Sequence, residues 1–429
     1  MINPTVGTGV VSQCTVNGTD IRSLATKIDY FESIYETCAS ANITVNDASG
    51  FHQKAKLNGN EDVELAFGNR EGSTIRMKFK TGIVGDRTRV KENQDVYELT
   101  CVPSEVLDNN KKEIAKAYKS EKLSEMVKKW HEEYTKESTT IKKDLTTNEE
   151  SEGNMSYHGT GRSPVTAIRW AAKEAKSSKA KASNYVYYQD RDGYYFRTID
   201  SMLSEGSKFT LSYAVQNIGG TGSDPKRNII AFDQQKDFNT IHSKYNGAAS
   251  DHWYYFDPTT GKTAGGSKRD GAGDTSHTGK TQITEKEETA RGERFNFIVA
   301  PGAWKSKFRD SRDPSVGETK RTVQEHGANS SAATQLDNLI MNIRVPGDTE
   351  YRPGMKITIN IPANQEAGEL DNRSGSYLVT SVRHVLYKDD KDETKEQKIM
   401  KVRQKINELH NKCHTIYYDY LPNLGQKSH

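Results

Sequence analysis

The sequence predicts a mainly β chain with α+β portions. Three observations carry this: short runs that alternate apolar and polar residues, Gly- and Asn-marked turns between them, and a few stretches where the apolar period becomes helical. At 429 residues the chain is too long for one ordinary domain. Its hydrophobic fraction is 33% and its mean hydropathy -0.85, which is poor in core-forming residues. The 21 Tyr, 12 Phe and 4 Trp nevertheless supply bulky anchors that disordered chains lack. Several modest β-rich domains joined by polar insertions satisfy both facts, and oligomerisation would help to stabilise them.

Residues 1–103 read as β. ANITVND ends in an Asp-Ala-Ser-Gly turn, Ile75, Met77 and Phe79 share one face, and Tyr97, Leu99 and Cys101 do the same. Pro103 and Ser104 mark a change of regime. Leu123, Met126, Val127, Trp130 and Tyr134 form a helical stripe, with Ser120 as the expected N-cap and His131 beside it. Residues 137–156 are polar and turn-rich, so a linker is expected. A second helix opens with Ser163 as cap and Pro164 at its first position. Val165, Ile168, Ala171, Ala172 and Ala175 make its buried side, and Arg169, Lys173, Lys176, Lys179 and Lys181 its basic face and tail. NYVYYQDRDGYYFRTID reads as a hairpin turning at Asp192-Gly193. Residues 243–335 break the β regularity and read as a loop-rich insertion, most polar at 259–294. Alternation resumes with Ile357, Ile359 and Ile361, and SGSYLVTSVRHVL (374–386) follows as a single strand. Residues 389–429 predict an amphipathic C-terminal helix, with Ile399, Met400, Val402, Ile406 and Leu409 on one stripe, and a tail.

The chemistry is sparse. Lys+Arg number 61 and Asp+Glu 58, a net charge of +3 that argues against a dedicated nucleic-acid binder. No stretch reaches the ~20 apolar residues of a membrane span, so no stable membrane association is expected. MINPTVGTGVVSQ lacks the basic and apolar regions of a signal peptide, and cytosolic synthesis is expected. Cys14, Cys38, Cys101 and Cys413 stand far apart with no CxxC pair, the pattern of reduced thiols. There is no GxxxxGK[ST], HExxH or GxSxG. Asp190-x-Asp192-Gly193 places its glycine wrongly for an EF-hand loop. His410, Cys413 and His414 are metal-ligand types without a second cluster, and the plainer reading is no metal. A packed helix histidine is the plainer reading of His131, and a solvated face that of the basic helix. Arg383 and His384 are adjacent, which on a strand sends them to opposite faces, so they cannot act as one site. His384 falls in line with apolar neighbours and reads as a packing histidine, Arg383 as an interface candidate. No catalytic, cofactor-binding or metal residue is assigned.

Four stretches, in order, carry a resemblance: DYFESIYETCASANITVNDASG followed by VELAF; YELTCVPSEVLDNNKKEIAKAYKSEKLSEMVKKW; SPVTAIRWAAKEAKSSKAKASNYVYYQDRDGYYFRTID; and PGMKITINIP with SGSYLVTSVRH. Together the chain resembles the baseplate hub proteins of contractile-tailed bacteriophages, which cap the tail tube and hold the central spike. The resemblance implies two tail-tube-like antiparallel β-barrels in one chain, at 1–103 and, discontinuously, at 206–242 plus 336–388. It implies a helix and β-hairpin domain at 104–205, besides the insertion at 243–335 and the tail at 389–429. A homotrimer would then present six similar barrels to a hexameric tube. The implied partners are the tail tube protein and a central spike or spike-lysozyme protein, with tape-measure and baseplate wedge proteins as further contacts. The implied role is structural and non-enzymatic, in the virion after assembly in the host cytoplasm, with DNA passing only transiently through a channel. The competing readings are a tail-associated peptidoglycan hydrolase, which needs an acidic pair or metal site, and a receptor-binding tail protein using Tyr-rich surfaces.

Overall fold

In a computed structural model of the chain, residues 8–69, 73–109, 111–135, 144–159, 161–179, 184–213, 225–237, 250–257, 262–270, 294–299, 339–363, 370–371, 373–388 and 401–408 are described. The protein is mainly β, as its alternating runs predict. It divides into two compact units, one of Met1–Val102, Ser207–Asp233 and Met341–His429, the other of Pro103–Gly206 and Gln234–Ile340.

The first unit is built around a closed ring of eight antiparallel strands. In spatial order they are Thr8–Val16, Asp62–Asn69, Thr74–Val84, Gln94–Val102, Ser40–Asp47, Ala25–Ser33, Ser381–Lys388 and Lys401–Glu408, the last pairing back to the first. Eight strands enclose a space that side chains can fill. Cys14, Ile28, Tyr30, Ile43, Val45, Val63, Leu65, Phe67, Met77, Tyr97, Leu99 and Cys101 do so, almost wholly removed from solvent. Their alternation follows from the strand period of two. Burial pushes the Cys14 thiol up to about 12 and raises that of Cys101 as well, so both stay protonated and unreactive. Asn17-Gly18, with φ of 47° and 77°, makes the tight turn into Thr19–Asp20, a hairpin signal the sequence reading passed over.

Asp47 ends the Ser40–Asp47 strand by organising the turn into the short Phe51–Ala55 helix. Its Oδ1 accepts from the N–H groups of Ser49 and Phe51 at 3.0 and 2.9 Å, and its Oδ2 from that of His52 at 2.9 Å. Burial pushes this carboxyl up, but the hydrogen bonds from His52, Phe51 and Ser49 outweigh it and hold the group below its usual range. A lowered carboxyl contributes stability that is present above its unfolded value, about 3.9, and is lost as pH falls through the folded one. Asp47→Ala is therefore expected to cost about 0.5–2 kcal/mol at pH 7. The difference from the native chain should shrink in urea titrations repeated below about pH 4.

A second core lies in the same unit. Leu211, Ile229, Ile343, Val345, Tyr351, Ile357, Ile359, Ile361, Val379 and Val382 pack together. Their scaffold is a three-stranded sheet in which Phe209–Ser212 runs parallel, and Gly375–Leu378 antiparallel, to Lys356–Asn360. Ala231–Asp237 and Leu339–Val345 extend the large sheet beside Lys401–Glu408. The Arg227 guanidinium lies 3.6 Å over the Phe209 ring and 3.2 Å from Asp348, tying the loop before Tyr351 to this core.

The second unit packs the Leu123–Trp130 and Pro164–Glu174 helices with the aromatic hairpin Tyr185–Asp190 and Gly193–Thr198. Three cross-strand ring pairs stack along the hairpin: Tyr185–Phe196 at 4.6 Å, Tyr187–Tyr194 at 5.3 Å and Tyr188–Tyr195 at 5.1 Å. In Gln234–Ile340, Ser250–Asp257, Lys262–Asp270 and Arg294–Val299 form a three-stranded sheet within the predicted loop-rich insertion.

Five local expectations are corrected. The Leu123–Trp130 helix is entered from Lys122. Ser120 instead lies within the Ala117–Glu121 strand at φ 53°, its N–H held by the Ser156 hydroxyl. The expected linker contains Leu145–Asn148, which adds in parallel to Gly193–Thr198, and the start of Met155–His158, which pairs with Ala117–Glu121; edge strands supported on one side tolerate polar sequence. The hairpin turns at Arg191-Asp192, with Gly193 already paired to Asp190. Residues 374–386 form two strands, not one, broken at Val379-Thr380 because their pairing partners differ. Residues 401–408, expected to be helical, form a strand: Val402 and Ile406 are four apart, a spacing that both periods satisfy.

Gly193 is required by a neighbour. A Cβ there would clash with the Thr146 hydroxyl and meet the Asp144 carbonyl oxygen at 2.8 Å. Gly193→Ala is expected to destabilise the second unit by about 1–3 kcal/mol, read as a lower urea midpoint at unchanged slope.

Candidate functional site: the His384 strand and the open barrel edge

The Ser381–Lys388 strand is set by its register on Ala25–Ser33, which puts His384 opposite Tyr30, Val382 opposite Glu32 and Leu386 opposite Ile28. Val382, His384 and Leu386 are buried, and the strand passes from one core to the other: Val382 belongs to the second, Leu386 to the barrel. Between them the His384 ring lies 6.1 Å from Tyr30 and 5.8 Å from Phe67. The Tyr30 hydroxyl donates to buried Glu32 at 2.6 Å. This is a polar layer sealed inside apolar surroundings.

Arg383 points the other way, as the strand period requires. Its Nη2 is 3.2 Å from Asp29, which also holds Lys27 at 2.6 Å, and its guanidinium sits 5.3 Å over Phe31. The structure thus separates the two adjacent residues into a core position and a half-buried ion pair. Because Lys27 remains beside Asp29, Arg383→Ala is expected to cost only about 0–1 kcal/mol in denaturant titration.

The other candidates are equally dispersed. His131 is fully buried in the π-helical turn His131–Thr135, its Nδ1 2.9 Å from the Tyr187 hydroxyl and its ring 4.9 Å from Tyr194. The Tyr194 hydroxyl donates to Glu105 at 2.6 Å, and Gln189 donates to the same oxygen at 3.1 Å. Asp190 accepts from the N–H groups of Asp192 and Gly193, at 2.8 and 3.2 Å, closing its own turn. Arg169, Lys173 and Lys179 are exposed and Lys176 is half-buried, while Lys181 lies outside the described residues. His410, Cys413 and His414 also lie outside them. Among the described residues no group of three or more His, Cys, Asp or Glu is placed to hold a metal ion. Tyr185, Tyr187, Tyr188 and Tyr194 are buried, so the aromatic hairpin offers packing rather than a sugar-binding platform.

The sequence reading missed an exposed corner of the ring, where an edge strand is added to it. Beyond Lys80 the Thr74–Val84 strand leaves Asp62–Asn69 and, after a bulge at Gly82, follows Gln94–Val102 alone. Thr88–Lys91 continues along the same strand and is exposed throughout. Ile83 and Val90 are 62% and 57% exposed. Arg87 and Arg89 share Asp95 at 3.6 and 3.2 Å. The available signal was GIVGDRTRVKEN, where apolar residues sit singly among charges between two strong strands.

No family model matches the chain, and no curated protein matches it in sequence. Among solved structures it is similar to the tail protein from Neisseria meningitidis MC58, at 12% identity and a TM-score of 0.55, over 93% of this chain and 96% of that one. It is also similar to the 43 kDa tail protein of prophage MuSo2 from Shewanella oneidensis, at 11% identity and a TM-score of 0.51, over 88% of this chain and 94% of that one. At these identities the likeness is one of fold.

Proposed function

We propose that the chain is a structural, non-enzymatic component of a contractile phage tail, a trimeric baseplate hub that joins the tail tube to a central spike. The observation that carries the reading is the fold likeness to two tail proteins over nearly their whole lengths. The barrel adds a physical constraint. Its interior is packed with side chains, so in this reading a channel for DNA would lie between copies of the chain. Three copies around an axis, each with two tube-like portions, at 1–103 and at 206–242 plus 336–388, would match a six-fold tube. In that arrangement the Ser381–Lys388 strand, shared by both cores, would hold the two portions in one fixed unit. A near-balanced charge of +3 would let DNA slide without dense phosphate contacts.

The test is native mass together with negative-stain imaging of the purified protein. Three-fold rings with a central channel are expected, and a stable monomer at high concentration would overturn the hub reading.

A further inference from the structure

We infer that the open barrel edge at Ile83–Lys91 is a subunit joint, pairing with the Ala231–Asp237 edge of a second copy of this chain. The inference rests on the multimeric reading above and adds the surface that makes it. Thr88–Lys91 pairs only with Gln94–Val102, and Ala231–Asp237 only with Leu339–Val345, so each is an edge strand among the described residues. Open edges that carry exposed apolar side chains are association sites unless something covers them. Here Val90 and Ile230 are each 57% exposed and Ile83 62%.

The charges select the pairing. Two Thr88–Lys91 strands laid against each other would oppose Arg89 and Lys91 with the same cations, which is unfavourable on neighbouring strands. The Ala231–Asp237 edge instead presents exposed Asp233, and Ile230 just before the strand is exposed as well. Lys91 is exposed and, unlike Arg87 and Arg89, makes no ion pair among the described residues. Both edges, as far as Asp233, stand on the same compact unit, so one chain supplies both halves of the joint. A contact between two different patches repeats by rotation and can close into a ring in which every such edge is covered. Lys91 of one copy then faces Asp233 of the next.

The experiment is zero-length carbodiimide cross-linking of the full-length protein, mapped by mass spectrometry, beside native mass measurement. An intermolecular Lys91–Asp233 amide is expected. It should vanish in Lys91→Arg, which keeps the charge but cannot form the amide, while the multimer persists. Lys91→Glu should raise the dissociation constant roughly tenfold, and adding Asp233→Lys should restore it. A multimer that lacks this cross-link and is indifferent to Lys91→Glu overturns the joint and leaves the hub reading standing. A chain that stays monomeric overturns both.

Discussion

Phe67→Ala lowers the free energy of unfolding by about 3–5 kcal/mol. Phe67 is fully buried on the Asp62–Asn69 strand and meets rings on two other strands, Tyr30 edge-on at 5.5 Å and His384 at 5.8 Å. Tyr30 and His384 face each other across strands more than 350 residues apart in sequence, so the cavity would open where distant parts of the chain are held together. The neighbours cannot collapse into it freely, because each is fixed by its own ladder. A urea midpoint shift at unchanged slope is the readout. A loss below about 1 kcal/mol would show that the rings do not close on one another, since so small a value belongs to surface positions. Phe67→Leu, which keeps most of the volume, should cost less.

Trp130→Ala has a comparable effect in the second unit, again about 3–5 kcal/mol. Trp130 ends its helix with no exposed surface, 4.9 Å from Tyr157 and 5.6 Å from Tyr118. Those tyrosines lie on the paired strands Ala117–Glu121 and Met155–His158, and Tyr157 also meets Trp170 of the second helix at 4.9 Å. One indole therefore fastens a helix to a two-stranded sheet too small to be stable alone. Amide exchange in 117–121 and 155–158 should accelerate in the variant together with the drop in midpoint. Unchanged exchange there would mean the strands are held by something other than this ring.

Where a run's own period was clean, the structure follows it. Ile75, Met77 and Phe79 are buried on one side, as are Tyr97, Leu99 and Cys101, and Leu123, Met126, Val127 and Trp130 form the buried helical stripe. Pro164 stands at the start of its helix, where its missing N–H costs nothing. The candidate site was legible only as a negative. Strand alternation alone separates Arg383 from His384, but nothing adjacent in sequence announces Asp29, Tyr30 or Phe67 as their partners. The exposed corner at Ile83–Lys91 reads in sequence like any charged turn. It becomes a distinct feature only because Asp62–Asn69 stops pairing at Lys80.

By itself the sequence determined the β character, the faces of its strong strands and helices, and the order of segments that resembles a phage tail hub. These depend on local periodicity, which each run carries within itself. Tertiary structure decided the pairing: that Ser381–Lys388 lies on Ala25–Ser33, that residues 401–408 close the ring as a strand, and that Gly193 serves the approach of Leu145–Asn148. Partner choice and close approach depend on groups brought together from distant positions. A spacing such as Val402 to Ile406 fits helix and strand alike until a neighbouring edge is there to hydrogen-bond it.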